Sequence, residues 1–148
     1  MTSTVAFEDI LRIEHDCTRL SLDYSFFADS HQMDAWAALF AEDAEMHLMG
    51  QHHKGRAAIR ASVSANNPDM ASIHKLHNIR IDVVSPTEAR GTVGVSLFVA
   101  PKKDGVGQAK DLAPVIMGNY QDTYRKTAEG WRFASRAFAP VIMKPPPA

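Results

Sequence analysis

Four polar residues in this 148-residue chain are of types that could do chemistry together: Tyr24, Asp29, His74 and Arg136. A carboxylate and an imidazole are the parts of a general-base pair. Imidazole changes charge near neutral pH, and a carboxylate on its second ring nitrogen fixes the tautomer and stabilises the imidazolium. A phenol and a guanidinium are donors for an oxygen that gains negative charge. The residues alone leave each role open. Asp29 closes the run Phe26-Phe27-Ala28-Asp29-Ser30 and reads either as a carboxylate at a pocket mouth or as the N-cap of the next helix. Tyr24 falls on an apolar helical stripe, where core is the plainer reading. His74 and His77 stand three apart on an expected strand and so face opposite sides, and periodicity does not choose between them. Arg136 follows Ser135 in an expected strand with Trp131 and Phe133, where an arginine can equally belong to the surface.

Other chemistries fail on their motifs. Gly105-Val106-Gly107 lacks a third glycine, a strand–helix unit and a Walker lysine, so no dinucleotide or phosphate loop is expected. Ser96, in Gly94-Val95-Ser96-Leu97-Phe98, lacks the second glycine and the following helix of a nucleophile elbow. There is no Cys-x-x-Cys and no His-Glu-x-x-His. His52 and His53 are adjacent and point in different directions, and no third ligand stands at a suggestive spacing, so no metal site is expected.

The elements that must position these residues change character halfway along the chain. Ile10, Ile13, Cys17, Leu20, Tyr24 and Phe27 mark one face of a first helix, and Asp9, Arg12, Asp16, Arg19 and Asp23 form a charge ladder opposite, read as a solvated face. A second helix is expected over Met33–Phe40, a strand over Ala44–Met49, a polar loop over Gly50–Gly55 and a third helix over Arg56–Ala65, stopped by Asn66-Asn67-Pro68. Strands follow over Ile73–Val84, Ala89–Ala100, Leu112–Lys126 and Trp131–Met143, with a turn or longer loop over Pro101–Gly107. In the first of these strands Ile79, Ile81 and Val83 share one side and Asn78, Arg80 and Asp82 the other. Helices first and antiparallel strands after predict an α+β fold with helices packed on one face of a curved sheet.

The remaining composition sets bounds. Lys plus Arg is 16 against 17 for Asp plus Glu, a net charge of −1, with no basic stripe for nucleic acid. Cys17 is the sole cysteine, so no disulfide forms within the chain. No apolar run reaches the ~18 residues of a membrane span, and Met1-Thr2-Ser3-Thr4 shows no signal-peptide pattern. A soluble, cytoplasmic single domain over residues 1–148 is expected, with a core over 7–143 and a proline-rich tail over 144–148.

Several segments together resemble one family. Phe27-Ala28-Asp29 followed by Met33-Asp34-Ala35-Trp36-Ala37-Ala38-Leu39-Phe40-Ala41-Glu42-Asp43-Ala44 resembles the opening of SnoaL-like proteins, within the nuclear-transport-factor-2-like superfamily. His53-Lys54-Gly55-Arg56-Ala57-Ala58-Ile59 is similar to that family's lead into its third helix. Ile73 to Arg80 is similar to its first long strand, and Gly118-Asn119-Tyr120, Tyr124-Arg125-Lys126 and Gly130-Trp131-Arg132-Phe133 to its closing strands. The resemblance implies a cone-shaped α+β barrel with three N-terminal helices and one open mouth.

Catalytic members of the superfamily, among them scytalone dehydratase, bile-acid 7α-dehydratase and hexachlorocyclohexane dehydrochlorinase, share an aspartate–histidine dyad. The resemblance sets Asp29 and His74, not His77, on those positions, with Tyr24 and Arg136 near further site positions. It departs where Leu97, Phe98 and Val99 occupy the neighbourhood of a second histidine, and where Gly118 and Tyr120 meet a serine and an asparagine, which makes scytalone itself a poor substrate. The implied activity is a cofactor-independent, dehydratase-like lyase acting on a small cyclic or aromatic hydroxy-carbonyl compound, with no metal. An isomerase or polyketide cyclase using the same base, or a non-catalytic small-ligand-binding protein, stays open. Implied partners are a small apolar cyclic substrate and a second copy of the chain, a dimer before a trimer, with no nucleic acid and no membrane.

Overall fold

In the computed structural model, which describes residues 4–64 and 67–145, the helical periodicity becomes one long helix, α1 (Phe7–Asp29). Glu8 and Asp9 in its first turn complement the helix dipole. Ile13, Cys17, Leu20 and Tyr24 are buried along one stripe. The charge ladder lies outside, with Arg12–Asp9 and Arg19–Asp23 pairs. After Asp29 the chain turns through His31, at a positive φ of 57°, into α2 (Met33–Ala37). The second helix ends three residues sooner than the sequence suggests, because Phe40 is drawn into the sheet opposite Phe133.

Then follow β1 (Phe40–Leu48), β2 (Gln51–Lys54), α3 (Arg56–Ser62), β3 (Met70–Ser85), β4 (Glu88–Lys103), β5 (Val106–Gly107), β6 (Ile116–Thr127) and β7 (Gly130–Met143). The sheet order is β2-β1-β7-β6-β4-β3, with β5 hung on β4. Every pair is antiparallel except β1 with β7. The sheet curves without closing, and α1 packs on it against β3, β4 and β7. No helix is long and apolar enough to cross a membrane, among the described residues.

Other expectations change as well, and the strand expected from Leu112 begins only at Ile116. The polar loop over 50–55 contains a strand: Met49 and Gly50, at φ of 49° and 79°, make a two-residue turn that folds β2 back on β1. Positive φ at both central residues is what a type I′ hairpin turn requires. Likewise Asp104 and Gly105 alone form the turn expected over 101–107, and strand pairing flanks them on both sides. The third helix stops at Ser62; its expected last residue, Ala65, the stop residue Asn66 and the tail residues 146–148 lie outside the described residues.

One irregularity matters for the site. The β3–β4 register slips between His77 and Arg80, where Asn78 takes a positive φ of 47°. This is a β-bulge, and it reverses which parity of residue faces inward. Before it His74 and Leu76 are half-buried while Ile73 and Lys75 are exposed; after it Ile79, Ile81 and Val83 turn inward. Gly94 lies opposite, where a Cβ would stand 2.8 Å from the His77 carbonyl oxygen.

Candidate active site

Asp29 is the last residue of α1, where the helix dipole disfavours a negative charge, so its carboxylate needs donors from elsewhere. β3 supplies them. The backbone N–H of His74 donates to Oδ2 at 2.8 Å, His74 Nδ1 lies 2.6 Å from Oδ1, and the Ser72 hydroxyl donates to Oδ1 at 3.2 Å. Asp29 is therefore no N-cap: α2 is preceded by Gln32, with no side-chain cap. An ionised carboxylate can only accept, so Nδ1 donates to Asp29, and in the neutral imidazole this places the lone pair on Nε2. Nε2 has no hydrogen bond among the described residues.

His74 lines a cavity of about 170 Å³ together with Tyr24, Leu48, Met49, Val95, Leu97, Ile116, Tyr120 and Phe138. Leu97 thus occupies the wall where the sequence departs from a second histidine. Apart from His74 and two phenols the wall is apolar. The His74 and Asp29 side chains keep 15% and 23% of their exposure, so the pair is sheltered yet reachable. His77 points away, exposed, with Nε2 2.8 Å from the Ser96 hydroxyl oxygen.

Tyr24 stands edge-on to the His74 ring, centroids 6.4 Å apart, and edge-on to Tyr120 at 5.5 Å. It lines the cavity as well as packing in the core. Burial pushes its hydroxyl above the ordinary phenol range, an effect that Arg136 only partly offsets, and holds Tyr120 well above that range. Both phenols therefore stay protonated and able to donate.

Arg136 sits elsewhere than a polarising residue must. Its side chain is 1% exposed and does not line the cavity. The guanidinium lies behind the cavity wall, 4.3 Å from the Tyr24 ring centroid, 4.0 Å from Tyr120 and 4.2 Å from Phe133. Nε and Nη2 donate to the two oxygens of Asp122 at 2.8 and 2.7 Å, and Nη2 also donates to the Ser21 hydroxyl at 2.8 Å. Tyr124 completes the group, donating to Asp122 at 2.8 Å. Burial alone would draw the guanidinium down, but Asp122 more than reverses this and the charge is kept. Arg136 thus lies near the cavity wall and not on it: a buried cation goes to its counter-ion, and Asp122 lies across the β6–β7 register from it.

Sequence reasoning missed Ser72, named Tyr120 only as a departure from the resemblance, and missed Asp122. The signal for the last two is their alternation with Tyr124 on β6, positions 120, 122 and 124 all being buried. It also missed one group on the outer side of β1. His52 faces neither His53 nor solvent alone but joins Glu45 and His47, the three ligand atoms lying within 4.8 Å of one another.

An open curved sheet wrapped on a long helix, with a carboxylate–imidazole pair at the mouth of an apolar cavity, defines a small cavity-bearing α+β domain. A SnoaL-like domain model matches residues 9–137, and the chain belongs to that family. No curated protein matches the sequence. Among solved structures it is similar to a scytalone dehydratase-like protein of Novosphingobium aromaticivorans DSM 12444, with 26% identity over 93% of this chain and 89% of that one and a TM-score of 0.77. An NTF2-like protein with a cystatin-like fold from Novosphingobium aromaticivorans is 25% identical over 95% and 92% of the two chains, with a TM-score of 0.70. A hexachlorocyclohexane dehydrochlorinase of Novosphingobium barchaimii LL02 shares the fold at 22% identity over 96% and 100%, with a TM-score of 0.71.

Proposed function

We infer that the protein is a cofactor-independent lyase that eliminates water from a small cyclic hydroxy-carbonyl compound, with His74 as base. The observation that carries this reading is the Asp29–His74 contact of 2.6 Å inside an apolar cavity, with Nε2 left unbonded. The similarity to a scytalone dehydratase-like protein supports elimination as the reaction class. A cavity of about 170 Å³ suits a single ring, being close to the ~150 Å³ that holds benzene in an engineered core.

In this reading Nε2 takes the proton on the carbon next to the carbonyl. The C–H electron pair moves onto the carbonyl oxygen as an enolate, which accepts a hydrogen bond from Tyr24 or Tyr120. The enolate then re-forms the carbonyl and expels the β-hydroxyl, which leaves as water with the proton held by His74. The substrate loses one water and the protein is restored. Asp29 holds the imidazole and stabilises its charged form. Arg136 acts through the two tyrosine rings it lies behind and touches no reacting atom.

The test uses a panel of cyclic β-hydroxy ketones, followed by enone absorbance and by NMR in D₂O. Enone formation that is lost in His74→Ala supports the lyase. Exchange of the α-proton without loss of water supports the isomerase or cyclase that shares this base. Binding with neither supports a ligand-binding protein. We propose as well that the chain forms a homodimer through the outer sheet face, where Ile73, Val106 and Leu112 are exposed around an apolar groove. A monomer by light scattering at micromolar concentration removes that proposal.

A further inference from the structure

We propose that Glu45, His47 and His52 form a binding site for a divalent first-row transition-metal ion, Zn²⁺ in the first instance, on the exposed face of the β1–β2 hairpin. The site follows from strand geometry. Glu45 and His47 are two apart on β1 and share its outer face, while Ala44 and Met46 are buried and Leu48 reaches the cavity. The register places His52 directly opposite His47, and the two-residue turn at Met49 and Gly50 fixes that register. His53, paired with the buried Met46, stays outside the group.

The distances suit one ion. His52 Nε2 is 3.3 Å and His47 Nε2 3.7 Å from the same oxygen, Glu45 Oε2. Ligands about 2.0–2.1 Å from a tetrahedral zinc stand roughly 3.4 Å from one another. The two imidazoles are stacked, centroids 4.0 Å apart and 11° from parallel, so their in-plane lone pairs run side by side, and holding one ion requires both rings to turn until those lone pairs converge. Side-chain exposure of 50%, 47% and 39% for His47, His52 and Glu45 leaves the rings room to turn and a fourth position for water. Two imidazoles and one carboxylate favour zinc, nickel or copper over calcium or magnesium, which want oxygen alone. Lys54 Nζ lies 3.8 Å from the other Glu45 oxygen, Oε1, and so leaves Oε2 to the metal while weakening the site's net attraction.

An ion here links β1 to β2 just before the turn. Leu48 and Met49, next in sequence, line the cavity, so a loaded site stiffens the cavity mouth. The site stands apart from the Asp29–His74 pair and does not depend on the reading given to it.

The test is calorimetric titration of the full chain, free of any histidine tag, with zinc chloride. Wild type is expected to bind one ion per chain, with the His47 and His52 ring resonances moving in NMR. Substitutions outside the ligand shell typically cost 10–100-fold in metal affinity, so His47→Ala, His52→Ala and Glu45→Gln are each expected to cost at least about tenfold. His15→Ala, on the exposed side of α1, and His74→Ala are expected to bind as wild type does. All three ligand positions are at the surface, and circular dichroism checks that each variant is folded. No binding by wild type, unchanged binding by the His47→Ala/His52→Ala double variant, or loss in His74→Ala alone overturns the proposal.

Discussion

Two of the molecule's carboxylate–nitrogen pairs lie away from the open surface and are nearly equal in length, Asp29–His74 at 2.6 Å and Asp122–Arg136 at 2.7 Å. They differ in what surrounds them. Both oxygens of Asp122 are filled by Arg136 and Tyr124, its side chain and that of Arg136 are 0% and 1% exposed, and three aromatic rings enclose the guanidinium. Arg136 Nη1 makes no hydrogen bond of good geometry, and the guanidinium lies against those ring faces. Asp29 is as well satisfied, yet its imidazole partner keeps one nitrogen for the cavity. A short ion pair says little about function. A short pair with a spare lone pair facing open apolar space says a good deal more.

Breaking the buried pair should have the largest effect. Asp122→Ala leaves Arg136 charged and unpaired, and should cost about 3–5 kcal/mol in urea denaturation. The double variant Asp122→Leu/Arg136→Met removes both charges and should recover most of that loss. If the double variant is no better than the single, the pair is not coupled as described. His74→Ala should do the reverse: turnover or α-proton exchange falls by about 10²–10⁴, while Asp29 loses one donor of three and stability falls by only about 1–2 kcal/mol. Equal damage to stability from both variants would erase the distinction between the pairs.

Tyr24→Phe should lower kcat by about 10²–10³ if its hydroxyl meets the enolate, with a much smaller change in KM, because such a bond strengthens only as charge develops. An unchanged kcat would pass the role to Tyr120. The smallest effect at neutral pH should come from the buried acids. Burial, aided by Asp16 and Asp122, pushes the Cys17 thiol from 9.0 up to about 12. A group whose proton is held more tightly when folded contributes its full stability below its unfolded pKa and loses it as pH rises through the folded one. Melting temperature should therefore be flat up to about pH 9 and fall from there, less steeply in Cys17→Ala. The raised phenols of Tyr24, Tyr120 and Tyr124 act with the same sign.

The helical stripe ending at Tyr24 could be read from spacing because α1 keeps one period for 23 residues. The strands of the second half were legible for the same reason, from alternation. What spacing could not give is the face of His74. Ile79, Ile81 and Val83 fix the inner side of β3 only beyond Asn78, and their alternation does not carry back to His74 and His77. The bulge at Asn78 reverses that phase, and it was only the family resemblance that favoured His74. β2 was invisible because Gln51-His52-His53-Lys54 has no apolar alternation and Met49-Gly50 is not a customary hairpin pair. With β2 hidden, so was the His47–His52 pairing. Asp122 could have been suspected from its place between Tyr120 and Tyr124, but which basic residue it meets is a matter of register, which a single strand does not carry.

The parallel pairing of β1 with β7 governs when this molecule can come into being. Met46 lies beside Arg136, so the first strand gains its main neighbour only when the last one exists. Until then one side of β1 and the part of α1 that packs on β7 lack their cover. Such non-local closure slows folding and lengthens the time a chain spends prone to aggregation. During synthesis Asp29 and His74 are both made early, yet the cavity they face still lacks Phe138 until β7 emerges. The cavity is therefore complete only once β7 is in place, and a chain cut short of Phe138 has the dyad without its pocket.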